Sequence, residues 1–215
     1  MKNMKKIGIG VIVALMAWGW TGCNAPKENN GLCKVQGTVN PRFNGKKIFL
    51  VPIEGPATME TVDSVVIADG KFEFESECGE MKVIRIDYRH RMGVEDLLVV
   101  MEPGELVVNI DTISSGKGTP QNDSLQGWKE YTMKHFQRLA PYRQQAKMAK
   151  ENGDMSMVEQ LQVKVDSLER AYRKHSRELA ARMGEGPLQK FLSGRFPTSY
   201  KKKMPDGTIT TVYVD

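Results

Sequence analysis

Apolar and polar residues alternate along much of the first half of the chain, and this period of two is typical of strands with one buried face. Strands are predicted at residues 33–39, 47–52 and 81–88. Turn dipeptides separate them at short spacing, as in all-β modules. The pattern therefore predicts an antiparallel β-sandwich or open barrel over residues 33–112.

The clearest turn in this region is Asp69-Gly70, which lies between two alternating runs. The pair suits a type I′ turn because both residue types tolerate positive φ angles there. A two-residue loop would close a hairpin and place Ile67 opposite Phe72 on the core face.

A second hairpin is predicted over residues 97–110, around Pro103-Gly104. Proline fixes the φ angle of the first central position of a type II turn, and glycine accepts the positive φ of the second. The alternating residues that follow would form the return strand.

The apolar period changes to about 3.6 near residue 122, which predicts a helical region over residues 122–194 after a linker at 113–121. Asn122 or Asp123 is expected to cap the first helix. Pro141 is expected to kink or end it.

A second helix is predicted from Ser156, whose spacing to Glu159 matches a capping box. Asn152-Gly153-Asp154 would join the two helices into a hairpin. A coiled-coil dimer is the alternative use of the second helix, but its apolar spacing is too irregular for a strict heptad. The fold class is therefore predicted to be α+β, with a helical hairpin after the β domain and a tail at 195–215 that holds a candidate short strand.

Residues 1–22 have the composition of an export signal, with three lysines followed by an apolar stretch. That stretch is too short to cross a bilayer as a helix, which takes about 20 residues. Its length is typical of the hydrophobic region of a signal peptide.

Thr21-Gly22-Cys23 ends this stretch with small residues before a thiol, which predicts a lipoprotein signal with lipidation, including palmitate, at Cys23. Several acyl chains would give stable membrane anchoring. Trp20 departs from the aliphatic residue usual at that position, so an ordinary cleaved signal or an uncleaved anchor stays as the alternative. Residues 23–32 would form a flexible tether.

A location in the cell envelope follows from this signal, and the outer membrane facing the periplasm is favoured because residues 24–30 lack a dense acidic run. The net charge of the whole chain is +5. Removal of three lysines with the signal leaves 28 basic and 26 acidic residues, a net charge of +2. Nucleic acid is therefore not an expected partner.

Cys33 and Cys78 are predicted to face the core of the same β domain, because each shares strand parity with apolar residues. In an oxidising envelope they are a candidate disulfide. Two buried free thiols are the alternative. A redox-active pair is disfavoured, since no Cys-x-x-Cys lowers a thiol pKa.

No catalytic, cofactor-binding or metal-binding residue is predicted. The histidines His90, His135 and His175 have no second ligand at metal spacing. We expect His135 at the edge of a core and His175 in solvent. The acidic residues between 73 and 80 are interpreted as a solvated strand face rather than a cation site.

Several short motifs recur in a familiar order, namely Gly37-Thr38-Val39, Val62-Asp63-Ser64, Asp69-Gly70-Lys71-Phe72-Glu73-Phe74 and Glu102-Pro103-Gly104-Glu105. With Cys23 and its tether, they resemble the N-terminal domain of unknown function that precedes thioredoxin-like domains in Gram-negative envelope lipoproteins. The resemblance implies a fold and a location. The thioredoxin Cys-x-x-Cys of those relatives has no counterpart here, so no catalytic residue carries over.

Two functions follow as hypotheses. The first is a non-enzymatic lipoprotein, attached to the membrane through lipid on Cys23, that binds an envelope protein, a peptide or a small ligand. The second is an accessory or vestigial component of a thioredoxin-like thiol–disulfide system that docks to a separate reductase. The first is favoured because the sequence supplies no redox machinery.

Overall fold

The computed structural model describes residues 31–58, 60–87, 93–204 and 207–213, with the backbone alone for Lys202, Lys203 and Tyr213. Within these ranges the chain has an α+β fold, as predicted. The strands are β1 (Leu32–Val39), β2 (Lys47–Pro52), β3 (Asp63–Val66), β4 (Lys71–Glu77), β5 (Met81–Ile86), β6 (Leu97–Val100), β7 (Gly104–Ile110), β8 (Ser115–Lys117), β9 (Ser199–Lys203) and β10 (Ile209–Tyr213). The helices are α1 (Pro120–Glu151), α2 (Met155–Arg182) and α3 (Pro187–Arg195).

The first eight strands form two four-stranded sheets that enclose one apolar core. The first sheet has the order β4-β1-β7-β8, and the second has the order β3-β2-β5-β6. All neighbours pair antiparallel except β1 and β7, which run parallel. The core between the sheets comes from alternate strand positions, as in Val35 and Leu106 of the first sheet and Ile84 and Leu97 of the second, all fully buried. The β domain is thus a sandwich.

The turn at Asp69-Gly70 forms as predicted. Asp69 has φ 50° and Gly70 has φ 67°. Ala68 and Lys71 exchange both backbone hydrogen bonds, at 3.1 and 2.8 Å. The predicted turn is therefore confirmed.

The predicted pairing beyond this turn is wrong. β3 pairs with β2 in the second sheet, whereas β4 pairs with β1 in the first. The N–H of Ile67 donates to the carbonyl of Lys46 at 3.0 Å, and its carbonyl accepts from Gly45 at 2.9 Å, so Phe72 is not its partner. The turn carries the chain from one sheet to the other.

The second predicted hairpin is wrong for the same reason. β6 pairs with β5, and β7 pairs with β1 and β8, so the two strands lie in different sheets. Gly104 starts β7 with a φ of 135°, a backbone conformation that favours glycine. The turn residues were identified from the sequence, but their strands have other partners.

The packing of β1 explains the glycine in the motif Gly37-Thr38-Val39. Gly37 faces the core of β1 directly opposite Phe72 of β4. A Cβ atom at Gly37 would overlap the Phe72 ring. The aromatic ring therefore lies over a position where only glycine leaves room.

The two long helices form the predicted hairpin, joined at residues 152–154, but their starts differ from the prediction. α1 begins at Pro120 after Thr119, and it continues through Pro141 instead of ending there. α2 begins at Met155, and Asp154 caps it by accepting from the backbone N–H of Met157 at 3.0 Å. The expected capping box at Ser156 is not the cap.

Asn122 lies inside the first turn of α1 and joins the helix to β6. Its side-chain Oδ1 accepts from the N–H of Val100 at 2.9 Å, and its Nδ2 donates to the carbonyl of Val100 at 2.8 Å. Glu102 Oε1 accepts from the backbone N–H groups of Gln121 and Asn122 at 2.7 and 3.1 Å. A carboxylate from the loop between β6 and β7 therefore satisfies two N–H groups of the helix N-terminus.

A second apolar cluster packs the helices on the sandwich. It contains Met81, Val100, Leu125, Trp128, Tyr172, Ala180, Leu188, Leu192 and Phe196. The predicted linker contributes β8 to the first sheet, and the tail forms the two-stranded pair β9–β10, which includes the candidate short strand.

Gly37→Ala is expected to lower the free energy of unfolding by about 1–3 kcal/mol, because the new methyl group must displace the Phe72 ring from a packed core. Gly127→Ala is the matched control. Its Cβ would meet no atom within 4 Å, and alanine in a helix interior should raise stability by up to about 1 kcal/mol. Urea unfolding of both variants measures this difference. Equal stability of Gly37→Ala and the wild type would contradict the packing described.

Candidate functional site

Cys33 and Cys78 lie against the same core, as predicted. Cys33 is fully buried in β1, and Cys78 is partly exposed just after β4. Both are free thiols in this structure. A disulfide between them stays a prediction.

The surroundings of these two thiols keep them protonated at neutral pH. Burial raises the pKa of Cys33 to about 11, and a hydrogen bond from the Glu102 backbone opposes this only in part. Burial also raises the pKa of Cys78, with a smaller contribution from the Glu102 carboxylate. A reactive cysteine requires the opposite shift, since the thiolate is the nucleophile.

Cys23 and His90 lie outside the described residues, so their predictions are not addressed by the geometry. Among the residues that the structure does describe, no group of three or more His, Cys, Asp or Glu is placed to hold a metal ion. No helix in the same ranges is long and apolar enough to cross a membrane.

The acidic strand face predicted at residues 73–80 contributes to a cleft of about 500 Å³. Sequence reasoning missed its single lysine, Lys82, which is 6% exposed. Lys82 Nζ donates to Ser76 Oγ at 3.0 Å and lies 3.2 Å from Glu80 and 3.8 Å from Asp63. The positive charge beside the carboxylates of this cleft is therefore the ammonium group of Lys82 itself.

A longer groove runs between the two long helices. Two cavities of about 400 and 380 Å³ adjoin there, because both are lined by Arg138 and Leu168. We call the surface between residues 131–145 of α1 and 164–171 of α2 the helical groove. Its walls combine aromatic and aliphatic side chains with three cations, Lys134, Arg138 and Lys164.

His135 lines the helical groove and is 6% exposed. Its ring stacks on Tyr172 with centroids 4.4 Å apart. Its buried Nε2 has no hydrogen-bond partner and lies 4.0 Å from a carboxylate oxygen of Glu169. Burial lowers the pKa of His135, opposed by Glu169 and supported by the positive charges of Arg143 and Arg138. The predicted position at the edge of a core is thus confirmed, but a hydrogen-bonded histidine was expected there and Nε2 has no hydrogen-bond partner.

His175 differs from the prediction of a solvated side chain. It is half-buried, and its ring stacks on Tyr131 with centroids 3.8 Å apart. Tyr131 also stacks on Tyr172, so the rings of α1 and α2 form one continuous group beside the groove. This stacking fixes the two helices against each other at that level.

Among the sites described, the helical groove is the one suited to binding a ligand. Burial raises the pKa of both described thiols, the ring of His135 stacks on Tyr172, and Lys82 is buried against Ser76 and Glu80. The helical groove, in contrast, offers accessible cations and apolar wall together, which is the composition of a ligand site.

The fold is therefore a β-sandwich that carries a helical hairpin with a groove. Residues 33–125 match the family model described as "Domain of unknown function (DUF4369)". The resemblance of the β domain to a domain of unknown function is thereby confirmed. The match extends past the predicted boundary at residue 112 and includes Asn122. No curated protein and no solved structure matches the chain.

In the reduced protein, Cys78 is expected to react with a maleimide much faster than Cys33, because Cys33 is fully buried and its pKa is raised further. Mass spectrometry of the labelled peptides, with Cys23→Ser used to remove the third thiol, measures both rates. Equal labelling of the two in folded protein would contradict the burial described. Thiols that appear only after reductant in the unreduced protein would establish the disulfide.

Stability is expected to fall as the pH drops from about 7.5 to about 5.5, because unfolded His135 takes up its proton near pH 6.5 while the folded residue does so only at lower pH. The unfolded state therefore binds more protons in this window. His135→Phe keeps a ring for stacking and should remove this part of the pH dependence. His175→Phe is the control, and urea midpoints at each pH are the measurement. An unchanged slope in His135→Phe would disprove the assignment.

Proposed function

We propose that this protein is an envelope lipoprotein, attached to the outer membrane through lipid on Cys23 and facing the periplasm, that acts as a non-enzymatic binding module. The basic and apolar segment before Thr21-Gly22-Cys23 supports the anchor. The polar tether that follows would let the sandwich and helices stand clear of the lipid headgroups.

The helical hairpin carries the binding role in this proposal. α1 has 32 residues and α2 has 28, lengths of about 48 and 42 Å. The apolar cluster on the sandwich uses only the part of the hairpin up to Tyr131 and from Tyr172. Beyond it, only a few side chains of the hairpin are buried, namely His135, Leu139, Ala149, Leu161 and Val165.

The remainder of the hairpin exposes apolar side chains. The larger ones include Phe136 at 49%, Met148 at 54%, Met155 at 56% and Val163 at 64% exposure. Exposed methionines adapt to varied partner surfaces because their side chains are flexible and polarisable. A long pair of helices with this surface supports an interaction role better than a purely structural one.

Mass spectrometry of the N-terminus tests the anchor. Expressed in a Gram-negative host, the wild-type chain should begin at an acylated Cys23 and fractionate with membranes, while Cys23→Ser should lose the acyl mass and leave the membrane fraction. An unmodified chain that still begins at Met1 and stays in the cytosol would refute the proposal.

In-cell cross-linking tests the binding role. A photo-reactive residue at exposed Met148 should capture a discrete partner, and one at exposed Lys34 on the outer face of β1 serves as the control. A thioredoxin-like reductase among the captured proteins would select the alternative role in thiol–disulfide exchange. No product from any exposed position of the hairpin would count against binding through this element.

A further inference from the structure

We propose that the helical groove binds an extended acidic segment of a partner protein. This inference deepens the proposed binding function and rests on it. It names the surface that makes the contact and the chemistry of the ligand.

The first argument is the charge of the groove. Lys134 and Arg138 are one helical turn apart on α1, and Lys164 faces them from α2. No acidic side chain lines either cavity. Within the part of the chain that the structure describes, none of these three cations forms an ion pair.

Three other cations of the same helices have carboxylate partners. Arg143 Nη2 lies 2.7 Å from Glu169, and Lys147 and Lys174 each lie near a glutamate one turn later on the same helix. In the groove three unpaired cations lie together on a lining that holds no carboxylate, so an incoming carboxylate would meet no repulsive neighbour there.

The second argument is the apolar part of the walls. Tyr131 lies near one end of the groove and Tyr142 near the other, with Leu168 between them on α2, and all three are half-buried. A ligand with apolar residues between its acidic ones would cover these side chains while its carboxylates reach the cations. This mixture favours a peptide over a simple inorganic anion.

The third argument is length. Residues 131–145 span about 21 Å of helix α1, which accommodates about six residues of extended chain at about 3.3 Å each. A flat membrane surface would instead meet the exposed Met148 and Met155, which do not line the groove. A chain-like ligand therefore fits this surface best.

Fluorescence anisotropy with the full-length, detergent-solubilised lipoprotein tests the proposal. The probe is a fluorescein-labelled octapeptide of alternating Glu and Leu, and the comparison peptide has Gln at every Glu position. The Glu peptide should bind about tenfold more tightly than the Gln peptide, and added salt should weaken it. Arg138→Glu and Lys164→Glu should each reduce its affinity by about tenfold.

Lys150→Glu is the matched control, since it changes the net charge equally at an exposed site of α1 outside the groove. Circular dichroism checks that all three variants keep their helix content. Equal loss of affinity in Lys150→Glu, or no preference for Glu over Gln, would overturn the proposal. So would Arg138-dependent binding to phosphatidylglycerol vesicles in place of the peptide.

A photo-cross-linker at Gln145, which lines the groove, separates this inference from the proposed function. Mass spectrometry should map its in-cell products to acidic segments, and Arg138→Glu should abolish them. Products on neutral or basic segments, or products that persist in Arg138→Glu, would overturn the groove assignment while the binding function stands. Loss of all partners from every hairpin position would overturn the proposed function itself.

Discussion

The contact between Asn122 and the backbone of Val100 is the constraint on which the arrangement of the two parts depends. β6 is an edge strand, so the outward N–H and carbonyl of Val100 would lack partners in its own sheet. The side-chain amide of Asn122 satisfies both and is 2% exposed. Losing it would leave two buried polar groups unpaired, at a cost of about 1–3 kcal/mol each.

The position of the helical groove follows from this joint. Asn122 and Glu102 fix the start of α1 on the sandwich, and two turns later Trp128 donates from Nε1 to Ser176 Oγ of α2 at 3.0 Å. The stacked rings around Tyr172 hold the helices together beyond that bond. Past these contacts the two helices pack only on each other, and the cations of the helical groove, Lys134, Arg138 and Lys164, stay exposed to solvent.

Local pattern predicted the elements of this fold better than their partners. Alternation identified β1, β2 and β5, and the Asp69-Gly70 turn formed, because these depend on neighbouring residues. Ile67 instead bonds the backbone of Lys46, and Glu102 accepts from the N-terminal N–H groups of α1. Both contacts join residues that are distant in the sequence, so a local pattern does not predict them. Asn122 is a residue type that often caps helices, but its side-chain amide forms hydrogen bonds with the backbone of β6 instead.

The groove was not predicted for the same reason, since its cations come from helices that meet only after folding. The spacing of Lys134 and Arg138 was the one local signal that could have indicated a charged face.

Native-state hydrogen exchange at the Val100 amide tests the central claim, which is that sandwich and helical hairpin fold as one unit through the Asn122 joint. The account predicts that this amide exchanges only by global unfolding, with the same protection as the core amides of β5. Exchange of Val100 by local opening, at a much lower free energy than β5, would contradict it.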